Sequence, residues 1–387
     1  MDLINQESDP SMNRACHSLL ILVFLTACVK HEKKQPTVFY FTNNYEKDSK
    51  AKHIKGLLWT LSYLGAEMRK GALDSCIIWK DSLSFSLDYK KAGFDSSVIN
   101  SLEKIEYAID TGMYYKKFGK ADFGQFVALT IGVSAHYYKI TKAPGTYAQM
   151  LESHNTNDLK VFPVTRSTVA KGHRRILFSV ADPDPTKWIF IAEEGEGSLE
   201  DSTFVPSFYE VMDILPNGQL RCAIYNSAGS LVEASPLELG AAGKPAKCLW
   251  CHELVIQPLF ETNIDLAGQM TTQQFHDELR VIMKRLTDYR SDLKGEVDFT
   301  ATQDHTFMEL EYIPYMQPSL KKLAKQWNMK ESEVSSLVKG LTFLPHEEFG
   351  MLGPLIQRDK VNKYRELFPY SIREPGSSEI NLFKTTE

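Results

Sequence analysis

The spacing of apolar residues changes period twice along the chain. From about residue 53 to 155 it is helical. Ile54, Leu57, Leu58, Leu61, Leu64 and Met68 fall on one face of a first helix. Val98, Ile99, Leu102, Ile105 and Ile109 mark another, behind a cap at Asp95 or Ser96. Leu83, Phe85, Leu87 and Tyr89 alternate, so a strand is expected between the two. From 156 to 240 the period shortens to that of strands. Arg175 to Val180 and Trp188 to Ala192 are short β-type runs parted by the turn cluster Asp182-Pro183-Asp184-Pro185. Phe208 to Leu215 and Gln219 to Asn226 flank Pro216-Asn217-Gly218, a hairpin signal. Glu193-Glu194-Gly195-Glu196-Gly197 matches no metal-binding loop and is expected as a solvated turn.

After residue 241 the helical period returns. Phe275, Leu279, Ile282, Leu286, Tyr289 and Leu293 alternate steps of four and three, and Thr271 with Gln274 fits a capping box at their start. Leu320, Leu323 and Trp327 form one further short apolar face; Val334, Leu337, Val338 and Leu341 form another. The order predicts an α+β protein. It has an N-terminal helical region (53–155), a central antiparallel β segment (156–240) and a mostly helical C-terminal part (241–387). The segment Tyr312-Ile313-Pro314-Tyr315-Met316-Gln317-Pro318, bracketed by prolines, is expected as a loop.

The N-terminus has its own pattern. Leu19 to Leu25 is a seven-residue apolar run, too short to span a bilayer, preceded by Arg14 and followed by small residues. That is the layout of a secretory signal. Asp2, Glu7 and Asp9 fit it poorly, and Met12 makes a better start than Met1. The run ends in Leu25-Thr26-Ala27-Cys28, which resembles the lipobox of bacterial lipoproteins. The resemblance implies removal of residues 1–27, diacylation of Cys28, and a lipid anchor in the cell envelope, on the outer membrane facing the periplasm. The alternative is an ordinary cleaved signal with an incidental cysteine. Residues 28–52, polar apart from Val38-Phe39-Tyr40-Phe41, read as a tether.

Composition is that of an ordinary globular chain, and the net charge of -5 comes with no lysine- or arginine-dense stretch that could track phosphates. Nucleic acid is therefore not expected as a partner. Export changes how the cysteines are read, because an oxidising compartment pairs, modifies or buries them. Leu220, Cys222 and Ile224 share a strand face, so Cys222 is expected to be buried, either free or paired with Cys76.

Lys247-Cys248-Leu249-Trp250-Cys251-His252 contains Cys-x-x-Cys-His. Two thiols three positions apart suit addition across the two vinyl groups of one haem edge, and the adjacent imidazole can bind the iron from the proximal side. With 6 Cys and 10 His in 387 residues, a chance match is expected about 0.2% of the time. A zinc site would want a second ligand pair. A thioredoxin-like dithiol would want a βαβ context, whereas Gly240 to Pro245 reads as a loop. The motif resembles that of c-type cytochromes, and Pro258-Leu259-Phe260 behind it resembles exported single-haem proteins more narrowly. The resemblance implies one covalent haem c, with Cys248 and Cys251 as thioethers and His252 as proximal ligand.

For the sixth iron position the methionines and histidines beyond the motif are candidates, with Met316 first and His305 behind it. His276 and Met283 flank an amphipathic stripe, and packing accounts for them; His136 and His154 are read as core or surface imidazoles. The expected function is haem binding with one-electron transfer to a redox partner protein, rather than conversion of a substrate. Two alternatives stay open. One is a haem sensor or catalyst with an open sixth site; the other is a haem-free lipoprotein whose Cys-x-x-Cys is a disulfide serving adhesion or assembly.

Overall fold

The computed structural model describes residues 35–42, 49–167, 169, 172, 174–236, 243–252, 256, 260–262, 264–362, 364 and 379–384. Helices and antiparallel sheets are combined in an α+β fold, as the changing period predicts. Cys28 and the leader before it lie outside the described residues. Among those residues no helix is long and apolar enough to cross a membrane.

Within the stretch expected as a tether, the apolar patch forms strand β1 (Phe39–Tyr40). It sits between β3 (Ser84–Leu87), antiparallel, and β4 (Ala121–Asp122), parallel; β2 (Ile77–Trp79) completes this sheet beyond β3. Phe39 and Phe41 are buried, and Phe41 stacks on Phe85 with ring centroids 4.5 Å apart. Four apolar residues in a polar run are enough to complete a sheet when a hydrophobic wall already stands beside them.

Around this sheet lie α1 (Lys50–Tyr63), α2 (Ser96–Asp110), α3 (Phe123–Val127) and α4 (Ser134–Thr141), with a π-helical turn at Ala128–Gly132 between the last two. The expected cap of α2 is Asp95, whose carboxylate accepts from the Ser97 and Val98 amides.

The middle of the chain folds into a five-stranded antiparallel sheet. Its members are β5 (Lys160–Val164), β7 (Arg174–Ser179), β8 (Ile189–Glu196), β9 (Val205–Ile214) and β10 (Leu220–Asn226), paired in that order. The short β6 (Arg166–Ser167) pairs instead with β11 (Phe260–Thr262). The predicted hairpin joins β9 to β10, and Gly218 takes φ +83 in its turn, where a side chain would be strained. The acidic Glu193–Gly197 run is not a solvated turn. It continues β8 as far as Glu196, with Glu193 and Glu194 buried. The reason is on the neighbouring strand, where Arg175 and Arg174 stand in register with these two carboxylates and pair with them.

The C-terminal part carries α5 (Pro245–His252), α6 (Thr272–Asp292), α7 (Thr306–Met316), α8 (Leu320–Trp327) and α9 (Glu331–Leu337). The Thr271–Gln274 capping box forms as predicted. The expected Pro-bracketed loop does not, because α7 runs through Pro314 to Met316. Every residue from Met308 to Met316 is buried, so packing outweighs the hydrogen bond that proline cannot make. A Cβ added at Gly56 of α1 would sit 2.6 Å from the Phe307 carbonyl oxygen, and one at Gly124 of α3 would meet that of Glu311. Thr37–Glu387 form one compact unit, with helices and both larger sheets sharing a core.

Candidate functional site

Alternate residues of a strand share a face, and pairing register extends that face across a sheet. Cys222 stands opposite Met212, Met212 opposite Phe190, and Phe190 opposite Phe178. Two residues along each strand lies the row Ile224, Glu210, Ala192 and Ile176, and beyond it the pair Glu194 and Arg174. Apart from Glu194, these side chains line one cavity. Its opposite wall is α5 together with Phe275, Leu279 and Ile282 from α6. Phe275 is fastened to the sheet by stacking on Phe162, ring centroids 4.2 Å apart. The enclosed space measures about 140 Å³.

Helical geometry explains how the motif meets this cavity. Pro245 occupies the first turn of α5, where its missing N–H costs nothing, and the Cys248 amide closes on the Lys244 carbonyl at 3.1 Å. At 3.6 residues per turn, positions 248, 251 and 252 are related as i, i+3 and i+4 and share one face. Cys248, Cys251 and His252 all line the cavity, with Lys247 beside them. Leu249 and Trp250 are buried on the other flank, and Trp250 lies against Tyr312 of α7 with centroids 5.4 Å apart. The two residues inside the Cys-x-x-Cys thus hold the helix to the core while the flanking three face the void.

Glu210 sets the start of this helix. Its Oε1 accepts from Ser235 Oγ and from the Gly243 amide, both at 3.3 Å, and its Oε2 lies 3.5 Å from Arg174. A second brace comes from the C-terminal segment. Lys244, buried, pairs with Glu379 at 2.7 Å, and that carboxylate also accepts from the Ser134 amide. Arg174 is buried, ion-paired with Glu194, and its pKa is pushed down by burial.

The thiols differ from those of a reactive dithiol. Cys248 is in hydrogen-bonding contact with Cys222, and this contact, together with burial, holds its thiol well above the ordinary range. Nucleophilic cysteines are shifted in the opposite direction. Cys222 and Cys76 are buried free thiols, but the neighbour of Cys222 is Cys248. Cys76 lies elsewhere, beside Asp88, its thiol pushed up to about 12 by burial.

The lining brings together two thiols, an imidazole and an apolar wall, the donor set that a haem c would use. A largely apolar wall of Ile176, Phe178, Phe190, Ile224 and Phe275 suits the faces of a macrocycle, and Lys247 stands at the same cavity as a cation for a propionate, Arg174 being already paired with Glu194 and Glu210. Met316 and His305 stand apart from this arrangement. Met316 is buried at the end of α7, and His305 is buried with its ring 6.3 Å from Trp59; neither is among the residues lining the cavity. Met212 is. Met212 precedes the motif, outside the stretch expected to supply a sixth ligand, although the alternation of β9 sets it on the same face as Glu210. His136 and His154 are engaged elsewhere: His136 accepts from the Leu382 amide, and His154 pairs with Asp213 at 3.1 Å. The chain matches no protein-family model, no curated protein sequence and no solved structure.

Proposed function

We propose that this chain carries one covalent haem c and transfers single electrons at the bacterial cell envelope, where a lipid on Cys28 holds it. Cys248 and Cys251 would form the thioethers, His252 the proximal bond to iron, and Lys247 would offset the charge of a propionate. The observation that carries this reading is that all three motif residues line one largely apolar cavity from a single helix face. Support also comes from the raised Cys248 thiol, which argues against a dithiol oxidoreductase. When bound, haem supplies an Fe(III)/Fe(II) couple whose potential follows from its axial ligands and burial. The chain's own part is to exclude water from the cavity, hold the imidazole of His252 on the helix, and offer Met212 as the sixth ligand in preference to Met316.

A haem-stained denaturing gel tests the reading, with protein made in a host that attaches haem. Staining is expected in the wild type and to vanish in Cys248→Ala/Cys251→Ala. An unstained wild type beside a stained control cytochrome sinks the reading, leaving the haem-free lipoprotein. A low-spin six-coordinate ferrous spectrum is expected, converting to a CO-binding high-spin one in Met212→Ala and unchanged in Met316→Leu. A wild-type spectrum that is already high-spin and CO-avid supports the sensor or catalyst instead.

A further inference from the structure

The haem reading employs two of the three thiols that face the cavity and leaves Cys222 unused. Cys222 lies in the middle of β10, on the row that continues through Met212, and is buried. Helix α5 packs over this strand, so Cys248 and Cys222 line the same cavity, and Cys222 is the first influence on the Cys248 thiol. Cys251, one turn further along α5, lines the same cavity and is more exposed than Cys222. The remaining described thiol, Cys76, packs beside Asp88 in another part of the core. An exported chain meets oxidants before it meets haem, so two thiols in contact become a competing covalent site.

We propose that Cys222 and Cys248 form a disulfide in the haem-free chain, and that this bond withholds Cys248 from haem attachment until a thiol reductant opens it. The second half rests on the haem reading; the first does not. The oxidant is an exchangeable disulfide, for which oxidised glutathione serves as probe. The Cys251 thiolate attacks one glutathione sulfur and releases a first glutathione thiol. The Cys248 thiolate then attacks Cys251 Sγ and releases the second. Finally the Cys222 thiolate attacks Cys248 Sγ, and the Cys251 thiol is restored. In sum two protein thiols lose two electrons and two protons, and one glutathione disulfide gains them as two thiols.

The test uses the full haem-free chain, held with oxidised glutathione, alkylated and digested for mass spectrometry. The expected product is the Cys222 peptide linked to the motif peptide at Cys248, with Cys251 alkylated. A Cys248–Cys251 bond with Cys222 alkylated, or alkylation of all three, overturns the proposal. In a second arm Cys222→Ser and Cys222→Ala are made in the haem-attaching host without added reductant. Haem stain per protein is expected to rise about twofold or more over wild type, whereas Cys76→Ser leaves it unchanged; added reductant should erase the difference. Stain equal in all four proteins without reductant overturns the withholding role. Linked peptides with no stain in any protein, reductant included, overturn the haem reading and with it that role, leaving the disulfide standing.

Discussion

At the scale of single residues, buried charge dominates the site. Arg174 faces Glu194 and Glu210 from within a largely apolar wall, and its guanidinium is the cation that makes two carboxylates tolerable there. Removing one partner of a buried pair leaves an uncompensated charge and costs about 3–5 kcal/mol. Arg174→Met is therefore expected to lower the unfolding free energy by that amount, read as a fall in the urea midpoint, and adding Glu194→Gln to recover part of it. A midpoint unchanged in Arg174→Met would mean the pair is solvated. His305 gives a pH dependence of definite sign. Burial beside Trp59 lowers its pKa from the ordinary 6.5 to about 4. The unfolded chain then binds a proton that the folded chain refuses, so stability is full above pH 6.5 and falls as pH drops towards 4. His305→Phe keeps the ring contact and is expected to flatten the urea midpoint between pH 7 and pH 5.

At the scale of elements, close helix crossings decide more than propensity. Gly56 lies inside α1, where alanine would add about 1 kcal/mol of helix preference. The added Cβ would press on the Phe307 backbone, and overpacking against backbone costs about 1–3 kcal/mol. The clash outweighs the propensity, so Gly56→Ala is expected to destabilise; a stabilised variant would show that α1 and α7 slide apart freely. The motif helix obeys the same logic. The i, i+3, i+4 spacing gives its three cavity residues one face, and Trp250 on the opposite flank keeps that face turned inwards.

At the scale of the whole molecule, residues far apart in sequence converge on α5. Glu210 holds the loop before it, and Glu379 pairs with Lys244 at its entry. The tail is joined to α4 as well, through Ser134 and His136. Glu379→Ala should therefore loosen the motif helix itself. Amide exchange in α5 is expected to accelerate roughly tenfold or more, while the β8–β9 pairs stay protected. Equal exchange in both proteins would make the tail a passive covering.

Much of this was legible from the chain. The Asp95 cap, the β9–β10 hairpin, the Thr271 capping box and the α+β order all rest on signals within a few residues of one another, and local physics suffices to set them. The spacing of Cys-x-x-Cys-His is local too, but the helix that turns Cys248, Cys251 and His252 to one face was not expected, since the stretch entering it reads as a loop. What pairing and packing decided lay beyond that range. The Val38–Phe41 patch entered a sheet because β3 and β4 stand on either side of it. The acidic Glu193–Gly197 run became buried strand because Arg174 and Arg175 lie in register beside it, and α7 ran through Pro314 because its surroundings are core. The contact between Cys222 and Cys248, and the presence of Met212 in the cavity, follow from sheet register and from a helix laid across it. Sequence determines which face a side chain takes; only the tertiary structure decides what stands opposite, because that depends on residues brought near by folding and not by chain order.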